Sequence, residues 1–209
     1  MVELLSTIAI IGLLAAVLLP TTSRIIESGK TAQCVANLRN LGLEVRAYAA
    51  ENNGILPWYD RVAGVSGIWW HRIYSANKWD TFNKLMVCPS DPDPYRLNFS
   101  PNGTELRASY RYNKYLGYLS TDGAGSTTTV YPVQRLSTME NQSKTPMIAD
   151  YNNTQSPKSD DSLGFETWNY IVGRHKRGQC SNVLCVDGHI ETVIGNDTSG
   201  LSMTGKSIK

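Results

Sequence analysis

Residues 1–20 read MVELLSTIAIIGLLAAVLLP, and the sixteen positions from Leu4 to Leu19 carry no charge. A helix that crosses a bilayer needs about 20 apolar residues, so the run reaches that length only with Met1 and Val2 counted in. A cleavable signal peptide calls for a basic segment ahead of the apolar one. The first basic residue here is Arg24, beyond the run. A plain membrane anchor leaves Glu3 unexplained, because an ionisable group inside hydrocarbon is costly unless it is paired. The reading that accommodates all three facts is a helix stored in a membrane and then packed against copies of itself. Glu3 would pair there with a positive group on a neighbour.

Outward from this run, Gly12 and Pro20 are its two weak points. Proline has no amide hydrogen and clashes with the preceding turn, and glycine is about 1 kcal/mol less helix-favouring than alanine. Together they mark a stretch that either kinks in the ordinary way or opens when subunits assemble. Beyond it, Ser23 is a suitable N-cap for a second helical stretch. Apolar or small residues recur at Ile25, Ala32, Val35, Leu38, Gly42, Val45 and Ala49, mostly three or four apart, as on one buried stripe of a helix. Asn52-Asn53-Gly54 and Pro57 end the pattern. A rod over residues 1–53 would be ~80 Å long, and a head domain covers only its C-terminal half.

After Pro57 helical periodicity fades, apart from a short helix expected at Trp69–Tyr74. Runs such as LMVCPSDPDP, ASYRYNKYLGYL, TVYPV, PMIADYN, WNYIV and SNVLCVDGHIETVI are mostly rich in Val, Ile, Tyr and Thr and are divided by Gly, Pro, Asn and Asp. Segments 120–126 and 152–162 read as polar loops. The predicted class is therefore α+β: a long N-terminal helix whose hydrophobic half protrudes and whose amphipathic half packs on an antiparallel sheet. The expected organisation is a hydrophobic helix over 1–22 and a head over 23–209, with an amphipathic helix at 23–53 and a β-rich region at 54–209. A formal net charge of +2, with 18% charged and 41% hydrophobic residues, excludes a disordered chain and points to no particular partner. Cys34, Cys88, Cys180 and Cys185 lack zinc-ribbon spacing and allow three full pairings.

The order Glu3, Gly12, Pro20 resembles the mature N-terminus of type IV pilins and pseudopilins, which begin with an N-methylated aromatic residue. Those families usually place four residues before the glutamate. Here there are two, and we expect the sequence to start two residues late. Further segments resemble the pilin-like, prepilin-type processing-associated proteins that end in a His…Asp-Gly motif. CVANLRNLGLEVRAYAAENNGILP, LMVCPSDP, YRYNKYL, MIADYN and RHKRGQCSNVLCVDGHIE are similar to that family's segments, in order. The last one has eleven residues between His175 and Asp187 where the family has nine. The resemblance implies a pilin-type fold, a homopolymeric helical filament at the cell surface, and storage in the inner membrane before assembly by a pilus or secretion machinery. The assembly residues it implies are Glu3, Gly12 and Pro20. The expected disulfide is Cys34–Cys88, joining the long helix to the Cys-Pro-Ser segment. Cys180 and Cys185 pair poorly with each other, since five steps along a strand separate their α-carbons by about 16 Å, and a bridge needs less than about 7 Å.

The remaining chemistry is weighed residue by residue. Asp187-Gly188 between two apolar runs signals a β-hairpin with a type I′ turn, in preference to a carboxylate ligand. Asp150, His175, Asp187 and His189 are the candidates for a metal site, with imidazole and carboxylate donors. Asp160-Asp161 with Asp150 is the candidate for calcium. Neither set has diagnostic spacing, and no cofactor is expected. Arg174-His175-Lys176-Arg177 is read as a solvated basic loop, and nucleic acid is not an expected partner. Trp58, Trp69, Trp70 and Trp79 are read as core. No nucleophile, metalloprotease or phosphate-loop motif occurs, so no enzyme is expected. Two alternatives stand beside the filament subunit: a minor pseudopilin of a type II secretion-like machine, and a membrane-anchored head that binds a metal or glycan.

Overall fold

Helix α1 runs without a break from Val2 to Glu51 in the computed structural model, which describes residues 2–62, 65–67, 69–74, 79–97, 105–121, 127–151, 164–165, 173–176, 178–195 and 197–204. Pro20 lies inside the helix, so Ser23 caps nothing and the expected second start is absent. The physical reason is that a proline removes a single donor, here the one facing the Ala16 carbonyl, and the strong helix formers Leu18 and Leu19 lead into it. Next to it, the Thr21 and Thr22 hydroxyls donate to the Leu18 carbonyl at 2.8 and 3.0 Å. At the other end Asn53 (φ 55°) and Gly54 (φ 78°) turn left-handed, and the Gly54 amide donates to the Ala49 carbonyl at 2.7 Å.

The buried stripe begins later than the periodicity suggests. Cys34, Asn37, Leu38, Leu41, Gly42, Val45 and Ala49 are buried, whereas Ile25 is 68% exposed and Ala32 is exposed as well. The pattern is helical throughout, but full burial against the head starts at Cys34, with Thr31 half-buried just above it.

Among the described residues, eleven short strands follow: β1 (Tyr59–Val62), β2 (Val65–Gly67), β3 (Tyr95–Leu97), β4 (Leu106–Ala108), β5 (Tyr110–Asn113), β6 (Tyr118–Thr121), β7 (Thr127–Tyr131), β8 (Pro146–Asp150), β9 (Gly164–Phe165), β10 (Cys180–Cys185) and β11 (Ile190–Ile194). The principal sheet has the order β11-β10-β8-β5-β9, antiparallel except for the β5–β9 edge. A second sheet, β2-β1-β6-β7, contains one parallel pair, β1–β6, so the head is more mixed than the expected all-antiparallel sheet. Strand β10 is buried along its whole length and alternates as a central strand should. Leu184 faces α1 and the main core, while Val183 and Cys185 face a smaller core with Ala149, Tyr151, Val193 and Leu201. Gly42 is what lets α1 lie close, since a Cβ there would come within 2.8 Å of Leu184 Cδ2.

Of the four tryptophans read as core, Trp69, Trp70 and Trp79 are buried in it, whereas Trp58 is half-buried outside it with the Arg72 guanidinium 3.4 Å over its ring. Trp69 and Trp70, in a 3₁₀ turn over Trp69–Arg72, meet Trp79 and Phe82 of a second helix, α2 (Trp79–Leu85), which the sequence reading did not foresee. Its last residue, Leu85, opens the LMVCPSDPDP run, which is not a strand. Run 168–172 and most of the two polar segments, 122–126 and 152–162, lie outside the described residues, whereas Ser120 and Thr121 belong to β6.

Candidate functional site

Two features stand out above the packed core. The first is the N-terminal third of α1. Ten large aliphatic residues between Val2 and Leu18 are each at least 56% exposed, and they lie on all sides of the helix. Among the described residues no ion pair reaches Glu3, which sits in this apolar surface. By length and composition α1 is able to cross a membrane.

The second is a buried polar centre where α1 meets the head. The structure bonds Cys34 of α1 to Cys88, with α-carbons 5.2 Å apart. The Cys88 carbonyl accepts the Asp91 amide at 2.9 Å, so one turn presents both Cys88 and Asp91 to the interior. From the opposite side His175 enters through a β-bridge to Cys180, at the start of β10. Its ring is 1% exposed. Nε2 lies 3.1 Å from Asp150 Oδ2 and 3.7 Å from Cys88 Sγ, and Nδ1 lies 3.2 Å from the Thr31 hydroxyl on α1. Asp150, at the end of β8, also accepts the Asn182 amide at 2.7 Å. Arg174 closes the centre. Its guanidinium is 3.0 Å from Asp91 and 3.7 Å from Asp150, and donates to the carbonyls of Ser109 (2.9 Å) and Tyr151.

The basic loop read as solvated is therefore half interior. His175 is buried, the Arg174 side chain is only 10% exposed, Lys176 is exposed, and Arg177 lies outside the described residues. No local signal separates Arg174 from Lys176. The two partners that sequence reasoning passed over, Asp91 and Thr31, were visible only as a polar residue in a Pro-rich turn and a Thr on a helix.

The four metal candidates do not converge. His175 and Asp150 meet at the beginning of β10, whereas Asp187 and His189 lie beyond its far end, some 16 Å further on at strand spacing. There the hairpin has a three-residue turn, Val186-Asp187-Gly188, with Leu184 paired to Ile190. Gly188 alone takes positive φ (96°), so the expected type I′ turn, with positive φ at Asp187 as well, is replaced by a turn with the left-handed residue third. The extra residue accommodates Asp187, whose Oδ1 accepts the amide of His189 at 3.1 Å and meets its ring Nδ1 at 2.6 Å. Partial burial alone would raise the Asp187 carboxyl, but these bonds and the nearby Arg46 outweigh it and hold it below its usual range. Burial, helped by Asp187 and Glu191, pushes the Cys185 thiol up to about 12, so it is a core residue and not a nucleophile. Cys180 is likewise buried and unbridged. Asp160 and Asp161 lie outside the described residues.

His175 presents the same nitrogen to Cys88 and to Asp150, so it cannot relay a proton between them through its two ring nitrogens. The centre as it stands locks elements together: α1, the Cys88–Asp91 turn, β8 and β10. No family model, curated protein or solved structure matches the chain.

Proposed function

We propose that this chain is a structural subunit of a type IV pilus-like extracellular filament, polymerising through its N-terminal helix after storage in the inner membrane. One observation carries the reading: ten large aliphatic side chains exposed around the free end of α1, with a carboxylate among them, on a head whose other apolar residues are largely buried. Each such side chain stabilises by about 1.5–3 kcal/mol when it leaves water. A single copy offers nothing to cover them, whereas a bundle of the same helices does. Glu3 fits the bundle because a buried carboxylate needs a cation, and the amino terminus of a neighbouring subunit supplies one. The resemblance of Glu3, Gly12 and Pro20 to the pilin N-terminus supports the same reading. The head then serves as an inert display domain and not as an enzyme.

A membrane-anchored monomer is the rival that the exposed helix equally favours. The two part at Glu3. Glu3→Ala makes the segment more apolar and strengthens an anchor, yet it removes the group that registers one subunit on the next. Cells producing the variant are expected to hold folded, membrane-bound protein and shed no fibres, as judged by electron microscopy of sheared surface material beside the parent strain. Parent cells without fibres, or normal fibres from the variant, refute the proposal.

A further inference from the structure

The buried centre has a second capacity that the disulfide conceals. Cys34 Sγ, Cys88 Sγ, a carboxylate oxygen of Asp150 and Nε2 of His175 all lie within 4.8 Å of one another, and all four residues are buried. Two sulfurs, an imidazole and a carboxylate are the donors that Zn²⁺ takes in closed four-coordinate sites, at about 2.3 Å from sulfur and 2.0–2.2 Å from nitrogen and oxygen. Once the S–S bond is broken, tetrahedral coordination needs the sulfurs to separate to about 3.8 Å, a shift that side-chain rotation supplies without moving α1.

The surroundings are those of a ligand shell. The Thr31 hydroxyl holds Nδ1 and so turns Nε2 inward. Tyr110 places its hydroxyl 2.8 Å from Cys34 Sγ. A phenol O–H at that position can donate to a thiolate. Asp150 Oδ1 is buried and accepts no hydrogen bond, with the Arg174 guanidinium 3.7 Å away. Zn²⁺ against two thiolates and a carboxylate leaves one negative charge, which that guanidinium faces.

We propose that the reduced chain binds one Zn²⁺ through Cys34, Cys88, Asp150 and His175, and that zinc site and disulfide are exclusive states of the same pocket. A newly made chain carries both cysteines as thiols, so the metal-bound state precedes the bond. Zinc uptake releases the two thiol protons. Later removal of two electrons from the sulfurs, by a disulfide-donating oxidant, forms the S–S bond and frees the ion.

The test uses the full chain in detergent micelles. A phosphine reductant opens the bond: the phosphine becomes its oxide, water supplies the oxygen, and its two protons go to the sulfurs. Under anaerobic conditions, Zn²⁺ is then titrated against a chromophoric chelator, and Co²⁺ is used as a spectroscopic probe. We expect one ion per reduced chain and none per oxidised chain, with thiolate-to-cobalt charge-transfer bands. Thr31→Val, which removes only the hydroxyl behind His175, should weaken uptake by roughly 10–100-fold. His189→Ala, in the separate Cys185, His189 and Glu191 cluster, should change nothing. Should reduction loosen the fold, zinc is expected to restore it. Failure of stoichiometric uptake, indifference to Thr31→Val, loss of uptake in His189→Ala, or a loosened chain that zinc does not restore would each overturn the proposal.

Discussion

Arg174 shows how far a single side chain's role depends on what the fold brings to it. In sequence it belongs to a short basic run. In the fold its guanidinium serves two carboxylates and two backbone carbonyls from the Cys88–Asp91 turn, β8 and the segments that flank the strands. Truncation strands Asp91 and Asp150 without their cation, and breaking such a buried pair costs about 3–5 kcal/mol. Arg174→Ala should therefore lower the urea midpoint sharply, and Arg174→Lys should recover little, because an ammonium cannot span the planar fork of acceptors. Full recovery by lysine would show that charge alone matters. Asp187 carries the opposite lesson, for here the local sequence does suffice: Asp-Gly announces the hairpin, and only the turn's length was misread. Its carboxyl is held below the unfolded value of about 3.9, so its contribution is complete above that pH and disappears as pH falls through the folded value. Asp187→Asn is expected to lower Tm near pH 5.5, by a margin that narrows as the pH is brought down towards 2. An equal difference at both pH values would mean the His189 contact does not depend on charge.

Among the elements, α1 was legible from its periodicity and its Asn-Asn-Gly exit, and β10 and β11 from their apolar runs around Asp-Gly. What was not legible has a common cause. Ile25 and Ala32 satisfy the helical pattern, yet nothing local reports how far the head extends along the rod. The same holds for Pro20, whose single missing donor could equally mark a break or be tolerated within a long helix. Helix α2 has Trp79 and Phe82 too close together for a period to show, and it forms because the aromatic core needs both rings. Gly42 reads as a weak helix residue, and only the sheet beneath it gives it a purpose. A methyl group there meets Leu184 Cδ2 at 2.8 Å. Gly42→Ala should thus destabilise the native chain by about 1–3 kcal/mol through overpacking. Once Leu184→Ala has emptied the space, the same change should stabilise by about 1 kcal/mol, the ordinary propensity gain. Denaturant unfolding of the four proteins measures the coupling. Additive effects would show that α1 and β10 are not in the contact described.

At the scale of the molecule, the chain divides by what holds it and not by where its helix ends. Residues 2–18 are exposed throughout and contribute nothing to either core cluster, whereas everything from Cys34 onward on the buried face is shared with the head. The helix passes residue 22 without a break, so continuity of secondary structure conceals the change from exposed rod to packed element. An isolated helical half-rod has no packing to stabilise it in water, and most helical stability in proteins comes from such packing. The head, in contrast, keeps its Cys34–Cys88 bridge, the Arg174 and His175 contacts and its aromatic core when the first 22 residues are removed. A chain starting at Ser23 should therefore be soluble without detergent and unfold at a urea midpoint close to that of the full chain in mild detergent, within about 0.5 kcal/mol, as expected for surface changes that touch no core. It should also lose all partition into membranes, because that property resides in the deleted residues. Sedimentation and vesicle flotation of the truncated and full chains, alongside their unfolding curves, read both halves of the expectation. A truncated head that aggregates or unfolds at much lower urea would mean that the exposed apolar rod stabilises the head.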